Sequence, residues 1–213
     1  MNISSKDLER YVAGYTTPES SLLKRLVRET GMKTGRGEML SGHIQGAFLE
    51  MFSYAKRPSN ILEIGTFTGY SALCLLKGLQ AGGKLHTIDI DEELGEIARK
   101  YWQEAGVEDQ IVPWYGEAEK ILPEIDIRFD LVFIDADKVN YSSYYDLVFD
   151  KLNDGGIILA DNVLYNGEVL LPEHEQSKNA IAIQAFNDKV RNDARVEQLL
   201  LPLRDGIMMV RKK

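Results

Sequence analysis

From Asn60 onward short apolar runs alternate regularly with longer amphipathic segments, a pattern that few folds accommodate. Asn60–Ile64, Lys84–Ile88, Gln110–Tyr115, Leu131–Ile134 and Gly156–Ala160 read as strands. Tyr70–Leu79, Glu92–Ala105, Ala118–Leu122 and Tyr141–Leu152 read as the helices between them. Strands separated by helices build a parallel sheet covered on both faces. Leu131–Ile134 is apolar without interruption, as a strand buried on both faces should be. After a long loop and a helix over Lys178–Asn192, the chain closes with Val196–Leu201 and Ile207–Arg211. Only 202–206 separates these two, which suffices for a hairpin but not for a parallel crossover. The expected fold is α/β: a seven-stranded, mostly parallel sheet with an antiparallel last strand and helices on both faces.

The first 58 residues carry no strand signal. Ser5–Tyr15 reads as a short helix or arm. Thr17-Pro18 reads as an N-cap followed by proline at the first helical position. Leu22, Leu23, Leu26 and Val27 follow at helical spacing, with Gly31 as the stop and Thr34–Glu38 as a loop. Ser41 is placed to cap a further helix whose apolar face is Ile44, Ala47, Phe48, Met51 and Phe52, ended by Pro58-Ser59. Residues 1–58 are thus expected to form a helical extension on a domain spanning 59–213, the whole making one compact unit.

No run approaches the roughly 18 apolar residues of a membrane span, and the N-terminus lacks the apolar core of a secretory signal. One cysteine, Cys74, sits in an apolar helical stretch and cannot form an internal disulfide, so a reducing cytoplasm is the expected compartment. The formal charge of −8 argues against a broad nucleic-acid surface.

Polar residues gather where strands end, and in open α/β sheets ligands bind outside the carboxyl ends of strands. The first strand leads into Glu63-Ile64-Gly65-Thr66-Phe67-Thr68-Gly69-Tyr70-Ser71. This turn is GxxxG and lacks the second close glycine of the dinucleotide fingerprint. Glu63 just ahead of it would repel a phosphate and attract an ammonium. Asp89 ends the second strand 24 residues after Gly65, near the usual spacing of about 20 for a carboxylate that accepts from ribose hydroxyls. Asp91 reads as the N-cap of the next helix. A nucleoside joined to a cationic amino acid satisfies these features, and S-adenosylmethionine has that chemistry. Tyr115-Gly116-Glu117-Ala118 follows the third strand, where the small Ala118 would let a base lie against the backbone; a plain tight turn reads equally well.

The fourth strand delivers Asp135, Asp137 and Lys138, and the fifth delivers Asp161 and Asn162. If these strands pair, Asp135, Asp161 and Asn162 make a hard oxygen set suited to Mg²⁺, Ca²⁺ or Mn²⁺ rather than zinc. A solvated turn is the alternative. His43, His86 and His174 are scattered, and His86 reads as structural.

The motifs LEIGTFTGYSAL, HTIDID, FIDADKVNYSSYY, GGIILADNVLYNGEV and LPLRDGIMMV together resemble the cation-dependent O-methyltransferases, the family of the caffeoyl-CoA and catechol enzymes. The resemblance runs from Gly37 to the C-terminus, about four-fifths of the chain. It implies a Rossmann-like methyltransferase fold and commonly a homodimer. It assigns Asp135, Asp161 and Asn162 to the divalent metal. It places S-adenosylmethionine against Ser41, Glu63, Gly65, Thr66, Ser71, Asp89, Ala118, Asp135 and Asp137. Lys138 matches the family's catalytic lysine, and Asn166 an asparagine near the substrate. Ile207 follows Asp205-Gly206 where the catechol enzyme has a glutamate. The plant enzymes' N-terminal coenzyme A-contacting segment is not recognisable, so coenzyme A thioesters are not implied.

The expected reaction is methyl transfer to one hydroxyl of a small phenolic acceptor bearing vicinal hydroxyls, with Lys138 taking the proton and Mg²⁺ as the foremost metal. Two other readings stand beside it. One is methylation of a hydroxylated base in transfer RNA, for which Lys24, Arg25, Arg28, Lys33 and Arg36 make the N-terminal part locally basic. The other is a non-catalytic module that binds S-adenosylmethionine, against which the complete Asp135/Asp161/Asn162 set argues.

Overall fold

The computed structural model describes residues 5–213, and the first four residues of the expected N-terminal extension lie outside it. Three helices come first: α1 (Ser5–Gly14), α2 (Ser21–Thr34) and α3 (Gly42–Lys56). Then β1 (Asn60–Ile64), α4 (Tyr70–Leu75), β2 (Lys84–Asp89), α5 (Glu92–Glu104), β3 (Ile111–Tyr115), α6 (Ala118–Ile121), β4 (Phe129–Ile134), α7 (Tyr141–Phe149) and β5 (Leu152–Asp161) alternate. Helix α8 (Lys178–Asn192) and the hairpin β6 (Val196–Leu201) and β7 (Ile207–Lys212) complete the chain.

The seven strands form one sheet in the order β3-β2-β1-β4-β5-β7-β6. All pairs are parallel except β5–β7 and β6–β7. The expected sheet, with its antiparallel last strand, is therefore the observed one. The order runs outward from β1 through β2 and β3 on one side, and from β4 through β5 on the other. The crevice between β1 and β4 is thus the topological switch point. Core side chains divide into two clusters, one on each sheet face. One holds Leu62, Val132, Ile158 and Phe186; the other holds Ile61, Leu131, Phe133 and, from the N-terminal helices, Leu23, Leu26, Leu40 and Leu49.

Several local expectations are corrected. Ser20, not Thr17, caps α2, accepting from the Leu23 N–H. The helix runs past Gly31 to Thr34 because Gly35, at φ 67°, supplies the left-handed closure. Ser41 makes no side-chain cap bond. Helix α4 passes into a 3₁₀ turn at Leu76–Gly78, where a Cβ on Gly78 would lie 2.0 Å from the Ser53 carbonyl carbon. Strand β5 begins at Leu152, ahead of the expected Gly156, and its register with β4 shifts between Phe129 and Leu131. That earlier start also ends α7 at Phe149.

The largest correction concerns α3. Its buried residues are Gln45, Gly46, Leu49 and Ser53, while Met51 of the expected apolar face is 71% exposed. Close helix contact explains the rotation. A Cβ on Gly46 would stand 2.8 Å from the Tyr70 ring, so α3 turns its small residues inward and leaves Phe48 and Phe52 at the border. Leu23 and Leu26 of α2 are buried in the core.

Candidate active site

At the switch point Glu63, the last residue but one of β1, is fully buried. One carboxylate oxygen accepts from Ser71 at 2.6 Å and the other from Thr87 at 2.6 Å. Thr66 in turn bonds Thr87. Burial raises the Glu63 carboxyl to about 7 despite these two donors, and the charges of Asp89 and Asp135 add to the rise. The site is thus short of positive charge, which suits a cationic ligand.

The glycine turn that follows serves the protein's own packing. Gly65 has φ 102°, and a Cβ there would stand 2.0 Å from the Asp135 carbonyl oxygen. Only glycine lets β1 and β4 close at this point. Asp135 N–H donates to Ile64 O across the β1–β4 junction, and Gly65 N–H donates to Ile88 O, tying the turn to β2, both at 2.9 Å. Asp89 accepts from the Phe67 N–H at 2.7 Å and the Asp91 N–H at 2.9 Å. It thereby fixes the turn, and further lone pairs remain for hydroxyl donors. Asp91 caps α5 as expected. Ala118 opens α6, buried behind Gly116. Ile90, beside Asp89, is 75% exposed. Sequence reasoning missed this open apolar side chain next to Asp89, although its position after the strand end was a usable signal.

Strands β4 and β5 pair Ile134 with Ala160, so Asp135 and Asp161 leave adjacent strand ends together. Asn162 takes φ 59°, a left-handed conformation that asparagine tolerates better than most residues. Asp161 is 2% exposed; its Oδ1 accepts from the Asn162 N–H at 2.8 Å and its Oδ2 from Gln45 Nε2 at 2.6 Å. Burial and then the charge of Asp135 push the Asp161 carboxyl up to about 6.

Lys138 Nζ lies 3.0 Å from Asp135 Oδ1 and donates to the Tyr141 hydroxyl at 2.8 Å. Asp137 accepts from Asn140 and Tyr144. Tyr141 is fully buried, and its hydroxyl reaches both Ile134 O and Asp161 O, clamping the two strand ends. Two carboxylates thus face one ammonium, and the Asn162 backbone N–H bonds one of them. Each Asp161 oxygen has spent one acceptor position and keeps another. Such a donor set, all oxygen and net negative, fits a hard divalent cation. No group of three or more His, Cys, Asp or Glu suited to a metal occurs among the described residues.

Asn166 lies in a turn where Tyr165, Asn166 and Gly167 all have positive φ. Asp205 from the β6–β7 connection holds this turn, accepting from the Asn166 N–H at 2.5 Å while its carbonyl accepts from the Leu164 N–H at 2.8 Å. Ser41 is buried at the start of α3, its carbonyl bonded by Arg204. Sequence reasoning missed Gln45, Arg204 and Tyr141. Two concavities elsewhere, around Leu79–Lys84 and around Pro123–Arg128, contain none of these residues.

The O-methyltransferase family model matches residues 13–213. A probable caffeoyl-CoA O-methyltransferase 2 of Dictyostelium discoideum is 34% identical over 95% of this chain and 90% of its own length. The catechol O-methyltransferase domain-containing protein 1 of Mus musculus is 31% identical over 96% of this chain and 79% of its own. Among solved structures, an O-methyltransferase from Bacillus cereus in complex with SAH superposes with a TM-score of 0.84 at 29% identity, covering 97% of each chain. With the family model spanning nearly the entire chain and the Dictyostelium and mouse relatives above 30% identity, the chain belongs to the O-methyltransferase family, that of the caffeoyl-CoA and catechol O-methyltransferases.

Proposed function

We propose that this O-methyltransferase transfers the methyl group of S-adenosylmethionine to one hydroxyl of a small vicinal-diol aromatic, with a divalent cation at Asp135, Asp161 and Asn162. The observation that carries this reading is the convergence of Asp135, Asp161 and Lys138 at two adjacent strand ends beside the Glu63 turn. S-adenosylmethionine leaves SAH, the molecule bound in the Bacillus cereus relative, and its sulfonium and ammonium suit the negative surroundings of buried Glu63.

Glu63, Asp89 and Asp137 supply acceptors for the donor's ammonium and ribose hydroxyls, and Ile90 offers an apolar face for its base. A phenol ionises near pH 10 in water, so its proton has to be removed. A bound divalent cation supplies positive charge that favours the ionised phenol. Lys138 takes the hydroxyl proton at Nζ. Tyr141 holds Nζ in place, and Asp135 balances the ammonium that results. The oxygen then displaces the methyl from sulfur, and the protein's main contribution is holding the two reactants in line, an effect that reaches roughly 7–11 kcal/mol. Two neighbouring hydroxyls allow one oxygen to anchor while the other reacts.

The test compares acceptors. With S-adenosylmethionine and Mg²⁺, methyl transfer is expected to catechol and not to phenol. Equal rates on the two would remove the vicinal-diol requirement. Transfer to a coenzyme A thioester of a dihydroxycinnamate, with none to free catechols, would replace the small-acceptor reading.

A further inference from the structure

Helix α3 lies outside the strand–helix alternation, yet it sends one polar side chain into the centre of the site. Gln45 is fully buried. Its Nε2 donates to Asp161 Oδ2 at 2.6 Å, and its Oε1 faces Arg204 Nη1 at 3.5 Å. Arg204 also donates to Leu40 O at 2.9 Å and to Ser41 O. Resting on the cation-site reading above, we propose that Gln45 is a positioning residue for the divalent cation: it orients the Asp161 carboxylate while keeping the charge of Arg204 away from it.

The argument begins with the amide. A glutamine side chain has a donor end and an acceptor end. A guanidinium can only donate, so Arg204 selects the orientation in which the carbonyl faces it and the amino group faces Asp161. The reverse orientation would set a carbonyl against a carboxylate and an amino group against a cation. Arg204 thus fixes Gln45, and Gln45 fixes Oδ2, while the Asn162 N–H fixes Oδ1. The carboxylate plane is held from both sides, and its remaining lone pairs point away from these donors.

Neutrality is the second element. Among the described residues, Lys138 is the one ammonium in direct contact with this pair, Asp135 and Asp161, through Asp135. A lysine or arginine at position 45 would neutralise Asp161 and lower its attraction for a cation. A glutamine passes on a hydrogen bond without passing on a charge. Outer partners of metal ligands typically contribute about 10–100-fold to metal affinity.

The test uses Mn²⁺ alone, titrated into the full chain without methyl donor or acceptor, with free Mn²⁺ read by electron paramagnetic resonance. S-adenosylhomocysteine affinity is measured in parallel by calorimetry. Gln45→Met keeps the volume and removes the donor; it is expected to weaken Mn²⁺ binding about 10-fold while leaving S-adenosylhomocysteine affinity in place. Arg204→Met is expected to weaken Mn²⁺ less. The double variant is expected to be no weaker than Gln45→Met, because Arg204 acts through Gln45. Unchanged Mn²⁺ affinity in Gln45→Met, or equal losses for both ligands, overturns the proposal. If Gln45→Met does not fold, unchanged Mn²⁺ affinity in Arg204→Met overturns it. A folded wild-type chain that binds S-adenosylhomocysteine but no Mn²⁺ refutes the cation site itself, and this inference with it.

Discussion

Glu63 has no solvent contact and two hydroxyl donors, and its carboxyl still titrates at about 7. Its folded value lies above the ordinary 4.5, so the folded state holds the proton more tightly than the unfolded chain does. The associated stability is present below pH 4.5 and is lost as the pH rises through 7, by about 3 kcal/mol. Glu63→Gln should therefore flatten the decline in ligand-free stability between pH 5 and 7, read by urea denaturation across that range; an unchanged slope would assign the decline to other groups. Lys138 is the residue placed to move a proton. Lys138→Met should lower kcat by roughly 10²–10⁴-fold, the usual weight of a general base, with S-adenosylhomocysteine affinity kept; an undiminished kcat would end its role as base. Asp135, Asp161 and Asn162 were legible in the sequence because polar residues at the ends of apolar strands stand out. Gln45 was not legible. It contacts a residue 116 positions away, and a glutamine next to an apolar helix face looks solvent-facing until the helix rotation is known.

Among the elements, strands were read more accurately than helix faces. Continuous apolar runs mark a doubly covered strand whatever its neighbours are, and the short 202–206 connection left only a hairpin. Helix α3 was misjudged because its inward side is built of Gly46 and Ser53, which close contact with α4 and Gly78 demands. Hydrophobic periodicity marks the large residues and is silent about a contact made by small ones. The Gly65 turn belongs to the same category. A Cβ at Gly65 would meet the Asp135 carbonyl at 2.0 Å, a close backbone approach that hydrophobic periodicity does not mark. Gly65→Ala should cost about 3 kcal/mol or more, combining left-handed strain and overpacking, and should separate the β1 and β4 ends that carry the site. A thermal unfolding midpoint within a degree of wild type would show that the backbone there yields freely.

In the whole molecule, the sheet order places the Glu63 turn, Asp89, Asp135 and Asp161 along one edge, and α3 and the β6–β7 connection close over it through Gln45, Arg204 and Asp205. The edge was legible from the strand–helix order. Its closure was not, because it depends on contacts between the two ends of the chain. No helix among the described residues is long and apolar enough to cross a membrane. With a net charge of −8, bulk transfer RNA should give no salt-sensitive gel shift, and a shift that weakens steeply with salt would revive the RNA acceptor. The most direct measurement of the central claim is methyl transfer from S-adenosylmethionine to catechol by the wild-type chain and by Asp161→Ala, each first stripped with chelator and then resupplied with Mg²⁺. The account predicts that wild-type turnover vanishes on stripping and returns with Mg²⁺, while Asp161→Ala stays inactive in both conditions and still binds S-adenosylhomocysteine. Full wild-type turnover in chelator would contradict it.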